Sequence, residues 1–103
     1  MNAQASTKQS IVNDILTYMK ECGGSAREWY VGIATNATNR LFSDHGVNES
    51  NGAWIYRTAD SSDDSREIEQ YFINRVGTDG GSGGGDGFTK MVYAYKKSTA
   101  SRP

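Results

Sequence analysis

The stretch "REWYVGIATNATNRLFSDHGV", residues 27 to 47, gathers three side chains able to handle protons and phosphate. Tyr30 and Arg40 stand ten residues apart, and the chain's one histidine, His45, follows five residues after Arg40. A phenol and an imidazole can carry protons in a reaction. An arginine offers a planar fork of N–H donors that matches phosphate or carboxylate. Each also has an ordinary reading. Tyr30 suits a strand as a core or half-exposed aromatic. Arg40 suits a surface helix as a solvated charge, and His45 suits a helix C-terminus as a favourable cation. Further along, Glu69 lies in "SREIEQYFI" near Asp63, Asp64 and Glu67, a group that also reads as a solvated acidic face.

These residues need elements to hold them. In "STKQSIVNDILTYMKECGG", Ile11, Ile15, Leu16 and Met19 share one helical face, which predicts a helix over about 8 to 21. Ser6 or Thr7 caps it and Gly23-Gly24 stops it. "EWYVGIA" is β-branched and aromatic, too short for a helix, and reads as a strand. "TNATN" supplies N-cap residues for a short helix over about 37 to 45, ended by Gly46. "AWIYRTA" alternates as a second strand. "DSSDDSREIEQYFINRVG" opens with caps and acids, then buries Ile68, Tyr71 and Phe72, with Ile73 and Val76 alongside, before Gly77. "FTKMVYAYKK" is a third strand, with Met91, Tyr93 and Tyr95 on one face.

The expected fold is a small α/β (α+β) domain, order α-β-α-β-α-β, with an antiparallel three-stranded sheet flanked by helices. One domain over residues 1–103 is the natural partition. The ends, about 1–6 and 98–103, and the glycine-rich stretch 78–87 are expected to be flexible. "TDGGSGGGDG" lacks a P-loop ending and precedes a strand, which argues against a phosphate loop. It reads as a connector, a substrate-covering flap or an engineered linker.

Within this frame, "YVGIATNATNRL" resembles the second half of the GIY-YIG nuclease signature. There a Tyr-(Ile/Val)-Gly strand leads through a polar turn to a helix bearing arginine. Tyr30-Val31-Gly32 and Arg40 keep that order, a histidine follows at His45, and "SREIEQYFI" is similar to the family's glutamate helix, with Glu69 in the glutamate position and Glu67 as the fallback. The likeness spans roughly residues 28 to 75. It implies metal-dependent endonuclease chemistry on nucleic acid, DNA before RNA. By the resemblance, Tyr30 activates the attacking water and Arg40 clamps the phosphate. His45 carries a proton or contacts phosphate, and Glu69 holds one Mg2+ (or Mn2+) that neutralises phosphate and leaving group.

Three features depart from the family pattern. No Gly-Ile-Tyr strand precedes Tyr30, because "LTYMKEC" there reads as helix. Ile33 stands where a lysine often follows Tyr-Val-Gly. His45 falls five residues after Arg40 rather than four, about 100° further round an α-helix. The first departure suggests a permuted arrangement. "KMVYAYK" should pair antiparallel with "WYVGIA", bringing Tyr93 to the place of the missing strand's tyrosine.

Composition sets the remaining bounds. A net charge of −1 gives no global attraction to nucleic acid, so such binding needs a local basic face. The lone Cys22 cannot staple the fold or form a CxxC metal site, which suits a reducing, cytoplasmic setting. No apolar run approaches membrane-spanning length, and "MNAQASTKQS" lacks a signal-peptide pattern, so the sequons at Asn36 and Asn48 read as chance. The competing reading is a catalytically degenerate module of the same fold that binds nucleic acid or a protein partner. An accessory protein that blocks another enzyme by contact would leave no mark in the sequence.

Overall fold

A computed structural model describes residues 7–81 and 88–98. The terminal segments 1–6 and 99–103 and the glycine-rich residues 82–87, for which flexibility is expected, lie outside the described residues. The fold is α+β: helices pack on a four-stranded mixed sheet. The strands are β1 (Trp29–Ala34), β2 (Trp54–Thr58), β3 (Asp79–Gly80) and β4 (Met91–Lys96), in the spatial order β2-β4-β1-β3.

Two corrections follow for the expected fold. The sheet has four strands rather than three, and it is mixed rather than antiparallel, because β3 runs parallel to β1. Among the described residues it pairs at Tyr30–Asp79 and Val31–Gly80, inside the stretch expected to be a floppy loop. Two residues without a hydrophobic repeat leave no periodic signal to read. Tyr71 is also not part of the buried helix face. It is 41% exposed, whereas Ile68 and Phe72 are buried, because Tyr71 falls beyond the arc that the helix presents to the sheet.

Helix α1 (Lys8–Cys22) is capped by Thr7, whose side chain accepts the Ser10 N–H at 3.2 Å, and stops at Gly23 with φ 86°. It lays Ile11, Ile15 and Met19 on one sheet face. Helix α2 (Ser62–Tyr71) starts at Ser61, whose side chain accepts from Asp64 N–H, and adds Ile68 and then Phe72 to the same layer. Ser65 Oγ donates to the Thr89 carbonyl at 2.8 Å and ties α2 to the entry of β4.

Strand β1 is buried along its whole length, which fits a strand covered on both faces. Trp29, Val31 and Ile33 face α1 and α2, and Tyr30 and Ala34 face the opposite layer with Ala37, Leu41, Val47, Tyr93 and Tyr95. The expected pairing of β4 with β1 is present, antiparallel from Trp29–Lys96 to Ala34–Met91. Among the described residues, no helix is long and apolar enough to cross a membrane.

Candidate functional site

The helical turn after β1 begins at Asn36, whose Oδ1 accepts the Asn39 N–H at 3.0 Å and the Thr38 hydroxyl at 2.9 Å. From Asn39 to Asp44 the turn is a π-helix. Its wider winding puts the His45 N–H on the Arg40 carbonyl at 2.8 Å, a bond spanning five residues. The extra residue between Arg40 and His45, out of phase for an α-helix, is thereby absorbed. Leu41 anchors the turn in the aromatic layer while the Arg40 side chain is 46% exposed.

Tyr93 lies across β1. It is paired with Gly32, and a β-carbon at Gly32 would stand only 2.5 Å from the Tyr93 hydroxyl oxygen. The missing side chain of the Tyr-Val-Gly glycine is what lets the ring cross. The Tyr93 hydroxyl is 2.7 Å from His45 Nε2, and the Arg40 guanidinium is within hydrogen-bonding reach of that same hydroxyl. Arg40 Nε also pairs with Asp44 at 3.1 Å.

Tyr30 shares this layer. Its ring lies 4.7 Å from the imidazole of His45 and stacks on Tyr95 at 5.3 Å and on Tyr93 at 6.4 Å. Gly81 closes over its hydroxyl, and a β-carbon there would come within 2.7 Å of the Tyr30 oxygen. Burial pushes the Tyr30 hydroxyl above its ordinary pKa, Arg40 pulls it back, and Asp79 and Glu69 add to the rise. Burial likewise raises Tyr93, with Tyr30 adding to the rise and Arg40 opposing it. Both phenols therefore stay protonated at neutral pH.

Glu69 does not belong to a solvated acidic face. The residue is 2% exposed, and burial raises its carboxyl pKa against the opposing influence of Arg66 and a hydrogen bond from Gln70. Its charge is felt at Tyr30 and Tyr93. The fallback, Glu67, points elsewhere: it is exposed and pairs with Lys8 at 2.6 Å. Among the described residues no three His, Cys, Asp or Glu side chains gather to cage a metal. Glu69 is the carboxylate that the resemblance selects for a metal, and Asp79 also acts on Tyr30.

Four of the five sequence-selected residues are thus brought together, and Glu69, on α2, is tied to them through its charge. Tyr30, His45 and Tyr93 are in direct ring contact, Arg40 reaches Tyr93, and the Glu69 charge acts on both tyrosines. A sixth member, Tyr95, was given only a strand-face place by the sequence. It is fully buried, and its hydroxyl lies 3.1 Å from His45 Nδ1. The period of two in "YAY" was the available signal, since it puts Tyr95 on the same face as Tyr93. No family model matches the chain, and neither does a curated protein or a solved structure.

Proposed function

We propose that the chain is a metal-dependent endonuclease of GIY-YIG type in a permuted arrangement, hydrolysing phosphodiester bonds in nucleic acid, DNA before RNA. One observation carries the reading: Tyr93, delivered by the C-terminal strand, lies over the glycine of Tyr-Val-Gly and meets both Arg40 and His45. Arg40, the exposed cation of the group, takes a non-bridging phosphate oxygen. By the resemblance Glu69 would hold a single Mg2+ or Mn2+, which would neutralise charge on the phosphate and the leaving oxygen, and at 2% exposure its carboxylate would have to open to solvent to do so.

The raised phenol pKa values argue against a free phenolate as base. Of Tyr30 and Tyr93, it is Tyr93 whose hydroxyl sits 2.7 Å from an imidazole nitrogen. The relay is therefore given to Tyr93. The attacking water gives its proton to the Tyr93 oxygen while Tyr93 passes its own proton to His45 Nε2. The new P–O bond forms as the bond to the leaving oxygen breaks, and solvent supplies the leaving oxygen's proton. Tyr30, beside Arg40 and His45, orients the water. His45 keeps its expected role as proton carrier, and a buried His45 does not contact phosphate directly. The exposed Cys22 suits a reducing, cytoplasmic setting.

Incubation with plasmid and with single-stranded DNA, plus Mg2+ or Mn2+, tests the reading. The wild type should cut, and Glu69→Gln should bind without cutting. Wild-type cleavage by Glu69→Gln would remove the metal role of Glu69. A second reading has its own support. Tyr30, His45, Glu69 and Tyr93 are each at most 7% exposed, which favours a module that keeps the fold and binds nucleic acid or a protein through Arg40 without cutting. DNA binding or protein capture with no metal-dependent cleavage by the wild type would select it.

A further inference from the structure

His45 is gripped at both ring nitrogens. Nε2 lies 2.7 Å from the Tyr93 hydroxyl and Nδ1 lies 3.1 Å from the Tyr95 hydroxyl. A neutral imidazole has one N–H and one bare nitrogen, so two arrangements are open. Either Nδ1–H donates to Tyr95 and Nε2 accepts from Tyr93, or Nε2–H donates to Tyr93 and Nδ1 accepts from Tyr95. Arg40 favours the first. A guanidinium has protons to give and no lone pair to offer, so at Tyr93 it occupies the oxygen as an acceptor. Tyr93 is 1% exposed, and among the described residues its own proton then has His45 Nε2 as its destination. That pairing favours a bare Nε2, and it leaves Nδ1 to carry the proton and Tyr95 to accept it.

We propose that Tyr95 is a positioning residue: its hydroxyl oxygen receives the Nδ1 proton of His45 and so holds Nε2 open to take the proton of Tyr93. Its effect on catalysis rests on the nuclease reading above, whereas the tautomer itself does not. When Nε2 gains a proton from Tyr93, the Nδ1–H to Tyr95 bond is unchanged. The relay therefore needs no ring flip inside a packed layer, where Tyr30 lies 4.7 Å from the imidazole and Tyr95 4.9 Å. In the opposite tautomer Nε2 is already protonated and the relay is closed.

His45 is the one histidine of the chain, so its ring nitrogens can be read by long-range 1H–15N NMR without an assignment problem. At a pH where the imidazole is neutral, the wild type should show a protonated Nδ1 and a bare Nε2. Tyr95→Phe keeps the ring that stacks on Tyr30 and removes only the oxygen. It should move the spectrum toward the Nε2–H form, with amide shifts away from the site unchanged. In a cleavage assay Tyr95→Phe should lower kcat at least about tenfold with KM unchanged, the scale seen when a metal-bound histidine loses its hydrogen-bond partner. A wild-type spectrum with Nε2 protonated, or a Tyr95→Phe spectrum identical to wild type, overturns the proposal. So does full kcat in Tyr95→Phe when the wild type cuts. A wild type that cuts nothing removes the nuclease reading instead, and the spectrum still decides the role of Tyr95 in setting the tautomer.

Discussion

Replacing Gly32 by alanine tests the central contact of the site. The added β-carbon would meet Tyr93 Oη at 2.5 Å, Cζ at 2.6 Å and Cε2 at 3.1 Å. The ring cannot swing out freely, because Tyr93 is 1% exposed, stacks on Tyr30 and is bound to His45. Forcing a methyl into such a packed layer destabilises by roughly 1–3 kcal/mol. Pulling the hydroxyl off His45 adds about 1 kcal/mol for a lost buried hydrogen bond. The reduced freedom of the unfolded chain returns roughly 0.4–1 kcal/mol. The net loss should be about 2 kcal/mol, which for a domain of this size lowers Tm by roughly 8–16 °C. Urea and thermal melts followed by circular dichroism measure it directly. Cleavage should fall further than stability does, since the displaced atom is the oxygen that the proposed relay uses. A Gly32→Ala protein within about 0.5 kcal/mol of wild type, the range of an inconsequential surface change, would refute the reasoning. It would mean that Tyr93 does not lie across β1.

Three further outcomes are expected. Arg40→Ala should cost about 1 kcal/mol of stability, because it removes a hydrogen bond to the buried Tyr93 hydroxyl while its pair with Asp44 is exposed, yet lose on the order of 3–4 kcal/mol of transition-state stabilisation in kcat/KM. Glu69 has a folded pKa raised by burial above its ordinary 4.5, so its protonated form is the one the fold prefers, and stability it contributes at low pH is lost as pH rises through the folded value. Urea midpoints from pH 4 to 7 should therefore show Glu69→Gln gaining on the wild type as pH rises, and parallel curves would contradict the buried carboxyl. Gly81→Ala should press on the Tyr30 hydroxyl and destabilise by about 1–3 kcal/mol in the same melts.

The fold was legible where a periodic pattern existed. Ile11, Ile15 and Met19 gave α1, and "MVYAYK" and "WYVGIA" gave the two strands that do pair. Strand β3 was not legible, since Asp79 and Gly80 are held by hydrogen bonds to β1 and contribute no apolar repeat. Tyr71 was misread because three consecutive apolar residues, Tyr71, Phe72 and Ile73, cannot all face a sheet from one helix. At the site, residue types and order pointed to Tyr30, Arg40, His45, Glu69 and Tyr93. Their burial did not follow, because charge and composition around Glu69 look the same on a solvated face as on one closed by packing. Tyr95 was hidden for a similar reason. Its importance is a hydrogen bond to His45 across 50 residues of chain.

Sheet register explains why a strand from the far end of the chain can complete the site. Along an antiparallel pair the side chains alternate in step, so the Gly32–Tyr93 partnership also fixes Tyr30 opposite Tyr95 and Ala34 opposite Met91 on the same face. A slip of one residue would turn Tyr93 and Tyr95 toward α1 and α2 and put Val92 and Ala94 into the aromatic layer. The connection between strands does not enter this requirement, and only pairing direction and register do. The π-helix answers the other departure in the same way. With His45 five residues after Arg40 rather than four, an α-helix would carry the imidazole about 100° further round, whereas the bond from His45 N–H to the Arg40 carbonyl closes the wider turn. Deleting Ser43 would remove the extra residue and let an ordinary α-turn form. The imidazole would still follow Arg40 by one turn, but the buried contacts at Leu41 and Val47 would shift by one position. A protein that keeps the 1H–15N signature of His45 after that deletion would show that the aromatic clamp, and not the π-helix, sets the place of the imidazole.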